Sequence, residues 1–222
     1  MNKYAVLVAG GYGKRMGTQL PKQFLLINGK PVLYYTILSF IKAFDDIKII
    51  LVLPIEHLEL GKEIIDGYFD ARKIQIVEGG ETRFHSVVNG LRFITEESII
   101  FVHDGVRCLV TTDLIERCYN KAMETGSAIP VVDCKDSVRF ISNENNEPMD
   151  RTKLKMVQTP QTFHSKIILP AFEINYKERF TDEATVVEAF GLKVTLVKGE
   201  DTNIKITNPL DLVIAEMILN KN

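Results

Sequence analysis

The chain has 222 residues, 25% of them charged and 45% apolar, with a formal net charge of -2. That length can bury one substantial core, and the composition excludes disordered and fibrous classes, so one domain over residues 1–222 is expected. The near-neutral charge gives no support to a nucleic-acid partner or a membrane surface, and the first apolar run, about six residues long, is too short for a signal segment or a membrane span. Cys108, Cys118 and Cys134 show neither the close pairing of a zinc site nor the even count of a disulfide framework. They read as free thiols in a reducing compartment, which makes a cytoplasmic location the expectation.

Short runs rich in Val and Ile at 4–9, 48–53, 74–78, 98–103, 128–132 and 193–198 mostly lack polar alternation, as suits strands buried on both faces. Helical patterns at 32–44, 56–68, 82–94, 112–125 and 165–176 lie between them. A last helix should begin with Asn208 as N-cap and Pro209 at its first position. Strands alternating with helices predict an α/β, Rossmann-like, mostly parallel sheet with helices on both faces. Residues 136–151 break this rhythm with a strand-like piece and a polar turn around Asn143 to Asn146. They predict a projecting β-hairpin, either a dimer contact or a plain surface excursion.

The first strand runs into Ala9-Gly10-Gly11-Tyr12-Gly13-Lys14-Arg15-Met16, with Lys22 a few residues later. A glycine-rich turn after a strand presents backbone N–H groups to phosphate, because glycine allows close approach and positive φ. The dinucleotide fingerprint needs a glycine where Met16 stands, and the P-loop needs one where Val8 stands, so both fail. What remains is a loop with Lys14, Arg15 and Lys22, a cation density suited to a triphosphate, or else a solvated turn with incidental surface charge. Gly79-Gly80 alone reads as a turn before a helix. Asp104, at the end of an apolar strand, reads either as a ligand-site residue or as a cap or turn residue.

The opening loop, Pro21-Lys22-Gln23-Phe24, Gly79-Gly80-Glu81-Thr82-Arg83, Val102-His103-Asp104 with Arg107, Asp136-Ser137-Val138, Asp150-Arg151, Gln158-Thr159-Pro160-Gln161, Thr181-Asp182-Glu183-Ala184 and Asn203-Ile204-Lys205-Ile206-Thr207 follow one another along nearly the whole chain. This series resembles the cytidylyltransferases that activate sugar-alcohol phosphates, most closely the 2-C-methyl-D-erythritol 4-phosphate cytidylyltransferase family. The resemblance implies a nucleotidyltransferase fold, and direct attack of a methylerythritol phosphate oxygen on the α-phosphorus of CTP with pyrophosphate leaving. It also implies Mg2+ as cofactor and a homodimer joined through the arm.

By the same resemblance, Arg15 and Lys22 stabilise the transition state, and Ala9, Gly10, Gly11 and Gly13 form the phosphate cradle. Gly80 and Ser86 surround the cytosine, and Asp104 lies beside the magnesium and ribose with Arg107 close by. Arg151, delivered by the partner subunit, and Lys205 bring catalytic charge to the acceptor, which Ser137 and Thr159 also contact. His85, Gly10 and the run Gly105-Val106-Arg107-Cys108 depart from the family pattern on the cytidine side. The rival within the class is a ribitol 5-phosphate cytidylyltransferase, and the rival outside it is an inactive nucleotide-binding regulatory protein on the same fold. The runs from Thr181 to Ala184 and from Gln158 to Phe163 favour the methylerythritol branch, and the kept cations and Asp104 favour an enzyme.

Overall fold

The computed structural model describes residues 1–11, 20–142 and 145–221. Its main sheet is built on β1 (Asn2–Val8), flanked in parallel by β4 (Lys48–Leu53) and β6 (Ser98–Asp104), with β5 (Ile74–Glu78) parallel to β4. A small hairpin of β2 (Leu26–Ile27) and β3 (Lys30–Pro31) precedes α1 (Val32–Ala43). Beyond β6 the sheet turns mixed. β7 (Ser127–Asp133) carries β10 (Lys155–Val157) and β11 (Gln161–His164) as antiparallel partners and β12 (Leu196–Lys198) as a parallel one. β11 also pairs with β6 and joins the two halves.

Helices cover both faces because the strand residues alternate between two cores. Leu7, Leu51 and Phe101 point to one face, where α1, α2 (Leu58–Tyr68) and α4 (Thr112–Thr125) bury Phe40, Ile65 and Leu114. Val6, Val52 and Val102 point to the other, against Phe84 and Val87 of α3 (Arg83–Leu91), Ile168 of α5 (Ser165–Ala171) and Val187 of α6 (Glu183–Ala189). The last helix, α7 (Pro209–Leu219), starts with Asn208 as N-cap in a capping box with Asp211, as expected. Cys108 and Cys118 are buried free thiols, pushed up to about 12 by burial. Among the described residues no helix is long and apolar enough to cross a membrane.

β8 (Val138–Ser142) and β9 (Asn145–Met149) form the projecting hairpin, paired among the described residues only with each other. Its apolar side chains Phe140 and Ile141 are 53% and 66% exposed, an unusual state for large apolar groups on a two-stranded ribbon. Asn143 and Glu144, part of the expected polar turn, lie outside the described residues.

The strand order places a switch point between β1 and β6. The chain steps from β1 out to β4 and β5 on one side, then returns to lay β6 on the other. The crevice outside the carboxyl ends of those two strands is where open α/β sheets receive ligands.

Candidate functional site

At that crevice the parallel ladder extends one residue past each strand. Ala9 N donates to Val52 O at 2.9 Å, Gly105 N to Val8 O at 2.9 Å, and Gly79 N to Leu53 O at 2.8 Å. Ala9, Gly10 and Gly11 therefore stand level with Gly80 and Asp104, and together they line a cavity of about 370 Å³. Gln23, fully buried, donates from Nε2 to Ala9 O at 2.6 Å and pins the loop's start to the turn at Lys22–Phe24. This turn sets Lys22 into the cavity wall, where its Nζ donates to Ile206 O at 2.7 Å. Gly13 and Arg15 lie outside the described residues.

The far wall is the turn before α3. Thr82 caps that helix, and the Ser86 hydroxyl donates to Thr82 O at 3.0 Å while accepting from Gly80 N at 3.0 Å. Gly80 is required there, because a Cβ on it would meet His85 Cβ at 2.4 Å and the His85 carbonyl carbon at 2.9 Å. A small wall of backbone edges results, with Gly10 facing Ser86 across it.

A second cavity of about 180 Å³ is lined by Arg107, Gln158, Thr159, Thr181 and Asp182, and it shares Arg83, Asp104 and Lys205 with the first. Asp104 is the centre of this junction. Its Oδ2 lies 2.9 Å from Lys205 Nζ and 3.5 Å from Arg107 Nε, and its Oδ1 lies 3.2 Å from Arg83 Nε. Burial alone would raise the Asp104 carboxyl, but Arg83, Lys205 and Arg107 outweigh it and hold it well below the usual carboxylate range. Arg83 is gripped from behind by Glu183, with Nη1 to Oε1 at 2.5 Å and Nη2 to Oε2 at 3.2 Å.

His103 fixes the hydroxyl next to this centre. Its Nε2 lies 3.2 Å from the Arg107 carbonyl, which can only accept, so Nε2 carries the proton. Burial lowers its pKa to about 3, so the ring is neutral and Nδ1 accepts from the Thr159 hydroxyl at 3.0 Å. The same hydroxyl accepts from Asp104 N at 3.1 Å. Thr159 has thus spent its one proton on His103, and it can offer the second cavity only a lone pair. Gln158 and Asn203 tie this segment to the one before α7: Gln158 Nε2 donates to Glu200 O at 2.7 Å, and Asn203 Nδ2 to Thr159 O at 2.8 Å. Arg107 Nη1 donates to Asn203 O at 2.7 Å. These bonds place Lys205 against Asp104.

Of the residues singled out from the sequence, Ala9, Gly10, Gly11, Lys22, Gly80, Ser86, Asp104, Arg107, Thr159 and Lys205 come together around the two joined cavities. Ser137 and Arg151 do not. Both are exposed at the foot of the arm, where Arg151 Nη1 donates to Lys135 O at 2.6 Å. Arg83, Glu183 and His103 have no role in the reading from sequence, although each sits in a quoted motif. Asp104, expected beside the magnesium, has both carboxylate oxygens facing cations in this structure, Oδ1 towards Arg83 and Oδ2 towards Lys205.

The family model of IspD, 2-C-methyl-D-erythritol 4-phosphate cytidylyltransferase, matches residues 4–221. The 2-C-methyl-D-erythritol 4-phosphate cytidylyltransferase of Phocaeicola vulgatus is 44% identical over 219 residues, which are 99% of this chain and 100% of that relative. Among solved structures, 4-diphosphocytidyl-2C-methyl-D-erythritol synthase of Anaerococcus prevotii superposes with a TM-score of 0.84 at 28% identity, covering 99% of this chain and 98% of that one. The Francisella tularensis 2-C-methyl-D-erythritol 4-phosphate cytidylyltransferase gives 0.80 at 31% identity, covering 98% and 99%.

Proposed function

The chain belongs to the 2-C-methyl-D-erythritol 4-phosphate cytidylyltransferase family, and from that premise we propose that the two joined cavities hold CTP and the polyol phosphate side by side. The enzyme transfers CMP from CTP to 2-C-methyl-D-erythritol 4-phosphate in the non-mevalonate route to isoprenoids, releasing pyrophosphate and 4-diphosphocytidyl-2-C-methyl-D-erythritol. The observation that carries the site reading is the shared wall: Arg83, Asp104 and Lys205 border both cavities, so a group bound in one lies against a group bound in the other.

The larger cavity takes CTP. Its cytosine lies against the wall of Gly80 and Ser86, and its phosphates lie over Ala9, Gly10 and Gly11 towards Lys22, with Gly13 and Arg15 completing the cradle. The acceptor phosphate lies in the smaller cavity near Lys205 and Arg107. A phosphate monoester is largely dianionic at neutral pH, so its oxygen attacks the α-phosphorus in line without a general base. The P–O bond to the β-phosphate breaks, and its electron pair leaves with pyrophosphate. Lys22 and Arg15 stabilise the charge growing on that leaving group. No covalent nucleophile is needed, and the hydroxyls of Ser86 and Thr159 are already committed to Thr82 and His103.

Magnesium would enter with the CTP phosphates as their counter-ion, and Asp104, which borders both cavities, is the carboxylate that would meet it there, since that ion takes one or two carboxylates together with substrate phosphates and waters. The exposed arm, with Phe140 and Ile141, packs on a second copy of the chain and carries Arg151 and Ser137 to the partner's acceptor cavity. Pyrophosphate release measured with CTP and magnesium, against methylerythritol 4-phosphate, ribitol 5-phosphate or no acceptor, tests the assignment. Release with the first alone is expected. Release that depends only on ribitol 5-phosphate overturns it.

A further inference from the structure

Glu183 is 1% exposed and lines neither of the two substrate cavities, yet its carboxylate holds both terminal nitrogens of Arg83. It opens α6, whose N-terminus is anchored independently. Gln161 of β11 donates to Asp182 Oδ2 at 2.9 Å and accepts from Ala184 N at 2.7 Å, and Asp182 caps the helix. Arg83 thus spans from a helix fixed on the sheet to Asp104, as a strut between two carboxylates. A guanidinium gripped by two terminal N–H groups is held in plane and in direction, which a single contact would not achieve.

The charge balance gives this strut a task. Arg83, Arg107 and Lys205 surround Asp104, and with Glu183 counted, three cations face two carboxylates, leaving one net positive charge at the wall between the cavities. Among the described residues, Glu183 is the carboxylate besides Asp104 that meets Arg83, so its loss would let Arg83 move onto the incoming phosphates or further onto Asp104. Either move would shift the carboxylate against which Lys205 is set.

We propose that Glu183 is a positioning residue for the transfer: by clamping Arg83 it fixes the Asp104 carboxylate, and through it the Lys205 ammonium, at the place where the acceptor phosphate meets the α-phosphorus. The proposal rests on the assignment of the smaller cavity to the acceptor. It differs from a purely structural role in one respect. Loss of a purely structural counter-ion moves the thermal midpoint alone, whereas loss of a strut that sets a cation's position also lowers kcat/KM for the acceptor.

The test compares Glu183→Gln, the charge-conserving Glu183→Asp, and Lys205→Ala, each by thermal midpoint, by the KM for CTP, and by kcat/KM for methylerythritol 4-phosphate. Glu183→Gln should lower kcat/KM for the acceptor about 30-fold while the KM for CTP moves less than about threefold, the size expected when a charged group is misplaced by a fraction of an ångström. Glu183→Asp, which keeps the charge but shortens the reach to Arg83, should recover the thermal midpoint relative to Glu183→Gln but not the acceptor kcat/KM, and if Glu183→Gln does not fold, Glu183→Asp measured against wild type carries the comparison. A folded Glu183→Gln or Glu183→Asp with wild-type kcat/KM for the acceptor overturns the proposal and leaves Glu183 as a structural counter-ion. Lys205→Ala should raise the KM for the acceptor. If it leaves that KM unchanged, the cavity assignment falls, and the proposal with it, for a separately visible reason.

Discussion

The ammonium of Lys22 donates to the carbonyl of Ile206 at 2.7 Å, across 184 positions of sequence. The contact closes the larger cavity from one side: the turn after the glycine loop meets the segment that carries Lys205, and both cations face the same space. The carbonyl of Ile206 orients the ammonium towards that space without neutralising it.

Lys22→Ala should therefore lower kcat about 100- to 1000-fold while the KM for CTP changes less than about fivefold, since a charge that serves the departing pyrophosphate acts mainly in the transition state. Steady-state pyrophosphate release with each substrate varied in turn separates the two constants. A variant that loses CTP affinity at unchanged kcat would assign Lys22 to ground-state binding instead.

Gly80 and Gly11 give a contrasting pair. A Cβ at Gly80 would run into the backbone of His85, whereas one at Gly11 would meet nothing within 4 Å among the described residues. Gly80→Ala should displace the first turn of α3, lower the thermal midpoint by roughly 3–9 °C and raise the KM for CTP. Gly11→Ala should leave the midpoint within about 2 °C of wild type. Scanning calorimetry and CTP titration of both variants check this, and equal midpoints would show that the α3 turn yields without cost.

The stretches read correctly from sequence are those where local pattern and tertiary environment agree. The strands Lys48–Leu53 and Ile74–Glu78 and the helix Thr112–Thr125 have their expected bounds, the helix with Thr111 as its cap and Gly126 in the left-handed conformation at its end. The helix from Ser165 ends at Ala171 rather than near Tyr176, one residue after Pro170. β10 and β11 went unread because they are short, and neighbours on both sides dictate their pairing more than their own residues do. α6 has seven residues, too few for a helical period to stand out. In the site, the cations were legible as residue types in motifs, but the salt bridge from Arg83 to Glu183 joins positions 100 apart, which only the fold brings together.

His103 makes acid stability a further test. Its folded pKa, lowered by burial to about 3, lies below the ordinary histidine value of about 6.5, so below that pH the unfolded chain binds a proton that the folded one refuses. Stability is then complete above about 6.5 and falls by up to roughly 1.4 kcal/mol per pH unit towards pH 3 on this group's account. Asp104, also depressed, adds its own loss only below the ordinary carboxylate value of about 4. Urea midpoints at pH 7, 6, 5 and 4 should fall less steeply for His103→Gln than for wild type. Parallel curves would mean that the imidazole accepts its proton within the fold.

The arm yields the sharpest test of assembly, because Arg151 lies outside the cavities of its own chain while Lys205 lies inside them. If each site takes Lys205 from one subunit and Arg151 from the other, Lys205→Ala and Arg151→Ala homodimers are both impaired at every site. In a mixed dimer, the site on the Arg151→Ala chain has its own Lys205 and receives an intact Arg151 from its partner, whereas the other site lacks both. Random exchange at equal amounts makes half the dimers mixed with one sound site each, so the mixture should recover about a quarter of wild-type turnover from two nearly inactive proteins. Phe140→Asp with Ile141→Asp, which puts two carboxylates into the proposed interface, should abolish that recovery and shift sedimentation towards a single chain. Activity equal to the mean of the two separate variants would mean that Arg151 serves no neighbouring site.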